Sequence, residues 1–284
     1  MGSDPNPRAL VSVVITVRNE AAHLPSLLES LVVQEPPFEV VVVDAESRDD
    51  SFKIVRNFAR KDPARFRAIR QACSRGEGRN LGVALARGEF VAFTDGDCVA
   101  DPGWLAAFRT AFATSDVVAG RTVPRAPSRF SELERVELYL RGSDVTYPSC
   151  NLGYRRELFN ALGGFDARFI TAEDIDLNLR AVLAGHHPLY APDAVIYHRA
   201  RATWPQFVRQ AFWNGYGRKQ LTEKHGSLWE RYRIERLAAG QHGAVALVRL
   251  GAAFTGYLAR VLTGGGDRLD VPPRRSPRPA GRSS

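Results

Sequence analysis

Two carboxylates separated by a single glycine, Asp95-Gly96-Asp97, close the apolar run Phe90-Val-Ala-Phe93. A buried strand has reason to carry Val and Phe and none to carry acids. The pair therefore belongs beyond the strand's carboxyl end, where open α/β sheets bind ligands. The D-x-D spacing lets both carboxylates converge on one hard cation, and Gly96 keeps the turn open to close approach. The same residues also suit an Asx-rich turn ahead of a helix opened by Asp101-Pro102. Asp95 and Asp97 alone do not separate the two.

Two more strand-like runs end in the same way. Val11-Ser-Val-Val-Ile-Thr-Val17 leads into Asn19-Glu20, and Val40 to Val43 leads into Asp44. Parallel strands end on one side of a sheet, so Glu20, Asp44, Asp95 and Asp97 are expected on a common rim. Gly76-Glu-Gly78 begins like a dinucleotide fingerprint but lacks the third glycine and follows the wrong strand. Its neighbours Arg75, Arg79 and Asn80 offer cations and donors near a helix start, suited to a phosphate, or equally to a solvated tight turn. Glu173-Asp174 opens a helix, where the dipole alone favours acids. His198 ends a strand and reads either as a ligand or as a surface histidine.

The elements that must position these groups follow from periodicity. The β-branched runs at 11–17 and 40–43 mark strands buried on both faces. Between them Leu24, Leu27, Leu28 and Leu31 form a helix face that Pro36-Pro37 ends. Phe52, Val55, Phe58 and Ala59 form a second face, stopped at Asp62-Pro63. A short strand at 68–70 precedes a glycine-rich turn and a helix through Ala86, then the strand Glu89 to Thr94. Strand and helix alternating at this spacing predict a doubly wound, mainly parallel α/β sheet flanked by helices. Further on, Asp116 to Gly120 reads as a strand, and Phe130, Leu133, Val136, Leu138 and Leu140 as a helix. Cys150 to Tyr154 reads as a strand, 155–162 as a helix, Gly163-Gly164 as a turn, 175–184 as a helix capped by Gly185, and 189–197 as a strand. From Trp204 the chain reads as helical, interrupted by Gly215 and Gly217.

Composition narrows the classes. At 284 residues with 44% hydrophobic and 25% charged content, the chain suits one α/β domain with appendages. The net charge of +8 fits an anionic substrate or membrane surface, and no motif that reads nucleic acid is present. Three cysteines without a C-x-x-C pair argue for a reducing compartment over a disulfide scaffold. The first residues show no basic stretch followed by an apolar one, so no signal peptide is expected. No window of 18 apolar residues is free of charge, so no clear membrane span is expected either.

Taken together, these pieces resemble the family 2 glycosyltransferases, with their nucleotide-sugar-binding GT-A fold. The matching segments are Val13-Val-Ile-Thr-Val-Arg-Asn-Glu20, Val42-Val-Asp44, Gly78-Arg-Asn-Leu-Gly82 with Ala86-Arg-Gly-Glu89, Asp95-Gly-Asp97, Gly163-Gly-Phe-Asp166 and Glu173-Asp174. No one of them is specific, but their order and spacing over about residues 11 to 220 are. The resemblance implies transfer of a sugar from a nucleoside-diphosphate donor to the hydroxyl of a saccharide or lipid-linked acceptor. Asp44 would then bond the base, with Glu20, Arg79 and Asp95 also at the nucleotide. Asp95 and Asp97 would form the metal motif, Asp97 as the direct ligand, joined in some relatives by a histidine at the place of His198. Asp174 would be the catalytic base, with Glu173, Gly164 and Asp166 on the acceptor side.

The implied chemistry is coherent. Mg2+ or Mn2+ suits carboxylate and phosphate oxygens and would stabilise the charge developing on the leaving diphosphate. An acceptor hydroxyl needs a positioned carboxylate to take its proton. One base and one in-line displacement predict inversion at the anomeric carbon.

Two departures bear on this. Ala45 follows Asp44 where many relatives carry a second acid. Gln206-Phe-Val-Arg209 is similar to the Q-x-x-R-W of processive members, but Gln210 stands in place of the tryptophan, which favours single addition. Competing readings are a catalytically silent binding protein of the same fold and a sugar nucleotidyltransferase. The latter calls for a glycine-rich basic loop where Arg18-Asn-Glu20 stands.

The expected layout is a flexible 1–10 and a transferase domain at 11–225, divided into a nucleotide half (11–120) and an acceptor half (121–225). A helical region at 226–263 and a disordered basic tail at 264–284 follow. Ala244 to Leu262 reads as a helix either packed on the domain or lying on an anionic membrane. A cytoplasmic enzyme, peripheral on the membrane face, is the expected location.

Overall fold

A computed structural model describes residues 9–125, 130, 135–199, 203–228, 230 and 243–263. The expected tail at 264–284, most of the expected flexible N-terminus and most of 226–242 lie outside the described residues. The first half alternates as its periodicity predicts: β1 (Val11–Val17), α1 (Leu24–Val32), β2 (Phe38–Asp44), α2 (Ser51–Lys61), β3 (Phe66–Arg70), α3 (Arg75–Leu85) and β4 (Phe90–Asp95). Then come β5 (Cys98–Ala100), α4 (Trp104–Phe112), β6 (Val117–Pro124), β7 (Tyr139–Leu140) and β8 (Ser143–Asp144). The rest is β9 (Leu152–Arg155), α5 (Arg156–Ala161), α6 (Glu173–Leu183), β10 (Leu189–His198), α7 (Trp204–His225) and α8 (Ala244–Leu262).

Eight strands form one sheet in the order β3-β2-β1-β4-β9-β6-β10-β5. β1 runs parallel to β2 and β4, β2 to β3, and β6 to β10, while β9 and β5 pair antiparallel. The expected mainly parallel sheet is thus present. β1 and β2 are buried on both faces because helices cover both. Leu24, Leu27 and Leu31 of α1, Val55 of α2, and Trp104 and Phe108 of α4 close one face. Val83 of α3, Phe159 of α5 and Leu177 of α6 close the other. Each such fully buried aliphatic or aromatic side chain contributes about 1.5–3 kcal/mol, enough to hold a few costly polar groups at the rim.

Three expectations need correction. First, Gly76 and Gly78 are not in a turn. Ser74 caps α3 through a reciprocal box with Glu77, so the helix begins at Arg75 and includes both glycines. Gly78, with Gly82 a turn later, serves close packing instead: a Cβ on Gly78 would lie 2.6 Å from Thr16 Cγ2, and one on Gly82 2.3 Å from Val14 Cγ1.

Second, the helix expected over 130–140 is absent among the described residues. Tyr139–Leu140 and Ser143–Asp144 form a hairpin instead. Arg141 and Gly142, both at positive φ, make its two-residue turn.

Third, Gly215 and Gly217 do not interrupt α7, which runs unbroken for 22 residues. They let other backbone approach. A Cβ on Gly215 would lie 1.7 Å from the Ala253 carbonyl oxygen, and one on Gly256 1.9 Å from that of Phe212, so α7 and α8 touch backbone to backbone.

α8 is therefore docked on the domain, as one of its two readings required, yet only along one face. Arg260 turns inward to Glu223 at 2.8 Å and to the Tyr216 hydroxyl. Outward lie Leu247, Phe254 and Leu262, exposed by 70%, 62% and 84%, with Leu250, Leu258 and Val261 between them. By length and composition α8 is long and apolar enough to cross a membrane, despite Arg249 and Arg260.

Candidate functional site

Strand register builds the rim. Val17 of β1 pairs with Asp44 of β2, and Thr16 pairs with Asp95 of β4, so the acids leave the sheet side by side. Asn19, at positive φ, turns the chain after β1. Its backbone N–H donates to Ser47 Oγ, its side chain accepts from the Arg48 N–H, and the Glu20 N–H donates to Ser51 Oγ. The segment carrying Glu20 is thereby tied to the loop after Asp44.

Two buried acids on β2 have opposite fates. Glu39, near its start, accepts from Ser12, Arg67 and Arg87 and is fully used by the protein. Asp44, at its end, accepts from the Ser47 N–H through Oδ1 at 2.9 Å, with Arg70 at 3.7 Å. Its Oδ2 is buried without a partner. Leaving such an acceptor unsatisfied costs roughly 1–3 kcal/mol, which a ligand N–H or O–H would return.

Asp95-Gly96-Asp97 does not cap a helix. It turns β4 into β5, whose Cys98 pairs antiparallel with His198 of β10. That pairing sets Asp97 Oδ1 at 3.5 Å from His198 Nε2. Space at Gly96 is tight: a Cβ there would lie 3.0 Å from Val17 and 3.1 Å from Glu20. Burial first, then the charges of Asp97 and Asp95, raise the Glu20 pKa to about 7. Clustered carboxylates at this price to one another, beside an imidazole, fit a divalent cation by charge and by donor chemistry. The donor atoms of Asp95, Cys150 and His198 lie within 4.8 Å of one another, as do those of Asp97, Cys98 and His198. The two cysteines were not among the expected site residues, although Cys98 directly follows Asp97.

Arg79 joins this rim to α6. Its guanidinium, 1% exposed, donates to Asp95 Oδ1 at 2.7 Å and to Glu173 Oε1 at 2.8 Å, over the Phe165 ring. Burial opposes the Asp95 charge, but Arg79, Arg75 and His198 prevail and hold its pKa below the usual range. Burial and then Asp174 push the Glu173 pKa up against the pull of Arg79 and Arg75. Arg75 stands 3.7 Å from Glu173. Desolvation would lower its pKa, yet Glu173, Asp95, Asp174 and Asp97 together raise it. Arg75 is thus the cation that all four acids feel.

Asp174 is only partly buried and sits in the first turn of α6, which starts from Ala172 at φ 66°, an unusual conformation for a residue with a Cβ. Its Oδ2 accepts from the Ser149 N–H at 3.0 Å. The turn before it is pinned from α3: Asn80 donates to the Phe165 carbonyl and accepts from the Phe165 N–H. Gly163 and Gly164 have positive φ, and a Cβ on Gly164 would lie 2.6 Å from Asn80 Oδ1. Asp166 faces Arg168 and Lys224, whose hydrogen bonds hold its carboxyl well below the carboxylate range. Asn80 therefore positions a turn, and Asp166 ties that turn to α7.

A family model described as Glycosyl transferase family 2 matches residues 12–163, and one described as Glycosyl transferase family group 2 matches residues 90–263. Glycosyltransferase AglE of Haloferax volcanii is 28% identical over an alignment of 224 residues; the match covers 74% of this chain and 73% of that protein. The pre-mycofactocin glycosyltransferase of Mycobacterium tuberculosis is 31% identical over 232 residues; the match covers 72% of this chain but 46% of that longer protein. Among solved structures, a mannosyltransferase from Pyrobaculum calidifontis in complex with GDP-Man and Mn2+ has a TM-score of 0.65 at 22% identity, covering 92% of this chain and 77% of its own. Residues 1–349 of S. aureus TarS in complex with UDP-GlcNAc have a TM-score of 0.56 at 20% identity, covering 88% of this chain and 82% of that fragment.

The Glu20 geometry carries a test of sign. The folded chain holds the Glu20 proton up to about pH 7, whereas the unfolded chain releases it near 4.5, so ionised Glu20 destabilises the fold above that window. In cation-free buffer, Glu20→Gln should melt above the wild type at mildly alkaline pH. That advantage should shrink as pH falls from about 7 toward 4.5. A melting difference that stays flat with pH contradicts the crowding of acids described here.

Proposed function

Because the chain belongs to glycosyl transferase family 2, we propose that it is a metal-dependent, inverting, non-processive transferase using a nucleoside-diphosphate sugar. The observation that carries this is the orphan Oδ2 of Asp44 on the same rim as Glu20, Asp95 and Asp97. The free Asp44 oxygen suits a base edge that donates, such as the ring N–H of uracil, thymine or guanine or the amino group of cytosine or adenine. Two neighbours hold a GDP sugar and a UDP sugar, which supports guanine and uracil among these. Glu20 and Arg79 then frame the nucleotide, Arg79 by holding Asp95 in place.

Asp95, Asp97 and His198 would hold Mg2+ or Mn2+. Once bound, such an ion supplies charge stabilisation for the departing diphosphate. Asp174 takes the proton of the acceptor hydroxyl. Its partial exposure leaves it reachable, and the Ser149 N–H fixes one of its oxygens. Glu173 stays at its side on Arg79, while Gly164 and Asp166 shape the turn that borders the acceptor. In this reading residues 11–120 bind the nucleotide and 121–225 receive the acceptor, a saccharide or a lipid-linked saccharide. A single displacement with one base inverts the anomeric centre.

The outer face of α8 supports a peripheral place on an anionic membrane, on the cytoplasmic side. Its apolar residues point away from the domain while Arg260 is spent on Glu223 and Tyr216.

Two measurements test this reading. Heating with GDP, UDP and dTDP sugars should show one class that raises the melting point in Mn2+ and not in a chelator. Saturation near a hundredfold over Kd is worth about 2.7 kcal/mol, or roughly 5–10 °C for a domain of this size. Asp97→Ala should lose the effect, and protection indifferent to metal, or none at all, overturns the donor reading. For the membrane, the full chain should float with anionic vesicles and Phe254→Asp/Leu258→Asp should not. Equal flotation of both, or none by the wild type, removes α8 as an anchor.

A further inference from the structure

Cys98 and Cys150 are both free and buried, and neither is used by the transfer chemistry. Both are buried, while Asp95, Asp97 and His198 beside them are partly exposed. Each buried soft donor therefore lies beside partly exposed hard donors, Cys98 with Asp97 and His198, and Cys150 with Asp95 and His198. Rigid elements supply them: Cys98 is fixed opposite His198 by strand pairing, and Cys150 lies in the short 3-10 turn Ser149–Asn151 just before β9, with Thr122 Oγ1 at 3.8 Å.

Mg2+ and Mn2+ have little use for sulfur, whereas Zn2+ and Cd2+ prefer it. A tetrahedral zinc site, with Zn–S about 2.3 Å and Zn–N about 2.0 Å, needs donor atoms roughly 3.3–3.8 Å apart. Asp97 and His198 already meet that at 3.5 Å, and each full set lies within 4.8 Å, so closure asks for about an ångström of side-chain movement.

We propose that His198, one aspartate of the D-x-D turn and the thiol in its set (Cys98 with Asp97, or Cys150 with Asp95) form a site for a thiophilic divalent cation, Zn2+ foremost, overlapping the place of the harder ion. The inference deepens the proposed function by assigning that site a competing ion, and it rests on the same residues. Each thiol that ligates forms a metal–sulfur bond and gives its proton to solvent, with no change of oxidation state. The expected consequence is that Zn2+ displaces Mn2+ from the site and blocks transfer.

The test uses the full chain without nucleotide and Cd2+ as the probe, read by the ultraviolet thiolate-to-cadmium charge-transfer band. Wild type and Cys73→Ser should develop the band to saturation. Zn2+ should erase it, and a large excess of Mg2+ should not. Cys98→Ser/Cys150→Ser should lack it. Because replacing buried thiols can disturb folding, His198→Ala provides a second arm that keeps both thiols and should weaken Cd2+ at least tenfold. No band in the wild type, a band lost in Cys73→Ser, or Cd2+ affinity unchanged in His198→Ala overturns the proposal. Mn2+-dependent nucleotide protection is read separately. Its absence with the cadmium band intact would refute the transferase reading and leave the thiol site standing.

Discussion

A guanidinium cannot be buried without partners, and Arg79 is buried. Removing one member of such a buried pair costs about 3–5 kcal/mol, because the remaining charge is left without compensation. Arg79 therefore fixes Asp95, at the end of β4, and Glu173, at the start of α6, at one separation. That single bridge joins the sheet rim that would hold a nucleotide to the helix that carries Asp174. It requires α3 to lie very close to β1, which Gly78 and Gly82 permit because any side chain there would strike Thr16 or Val14. Small residues in one helix thus set the geometry of acids on two other elements.

The unevenness of polar satisfaction separates structure from function in this molecule. Glu39 and Asp176 are buried acids whose oxygens the protein itself supplies with donors. Asp44 is buried to the same degree and keeps an oxygen without one. Burial, and then the charges of Asp97 and Asp95, raise the Glu20 pKa to about 7. Costs of this kind concentrate at functional sites, and Asp44 and the D-x-D turn carry them together on one rim.

Much of the site was legible because the rim is local. A β-branched run ended by an acid is visible in a few residues, and parallel pairing brings such ends together without further information. Glu173-Asp174 at a helix start and the bounds of the last helix, Ala244–Leu262, were legible for the same reason. What failed depended on partners distant in sequence. Gly76, Gly78, Gly215 and Gly217 read as breaks because glycine is flexible, whereas all four sit within helices, and at Gly78, Gly215 and Gly217 a neighbouring segment approaches closely. The hairpin at 139–144 was legible in principle: Val136, Leu138 and Leu140 alternate, which is a strand period, and Arg141-Gly142 is a turn pair. The place of the thiols was not legible, since Cys98 and Cys150 each reach His198 only through the sheet.

The central claim is a division of labour, with the donor held at Asp44, Glu20 and the D-x-D turn and the proton taken at Asp174, the two parts joined by Arg79. The direct measurement is transfer and donor affinity in Asp174→Asn. Loss of transfer by at least a hundredfold, with donor affinity in Mn2+ within a few fold of wild type, is what a base separate from the donor site predicts. Transfer that survives in Asp174→Asn, or donor affinity that collapses with it, would contradict the account.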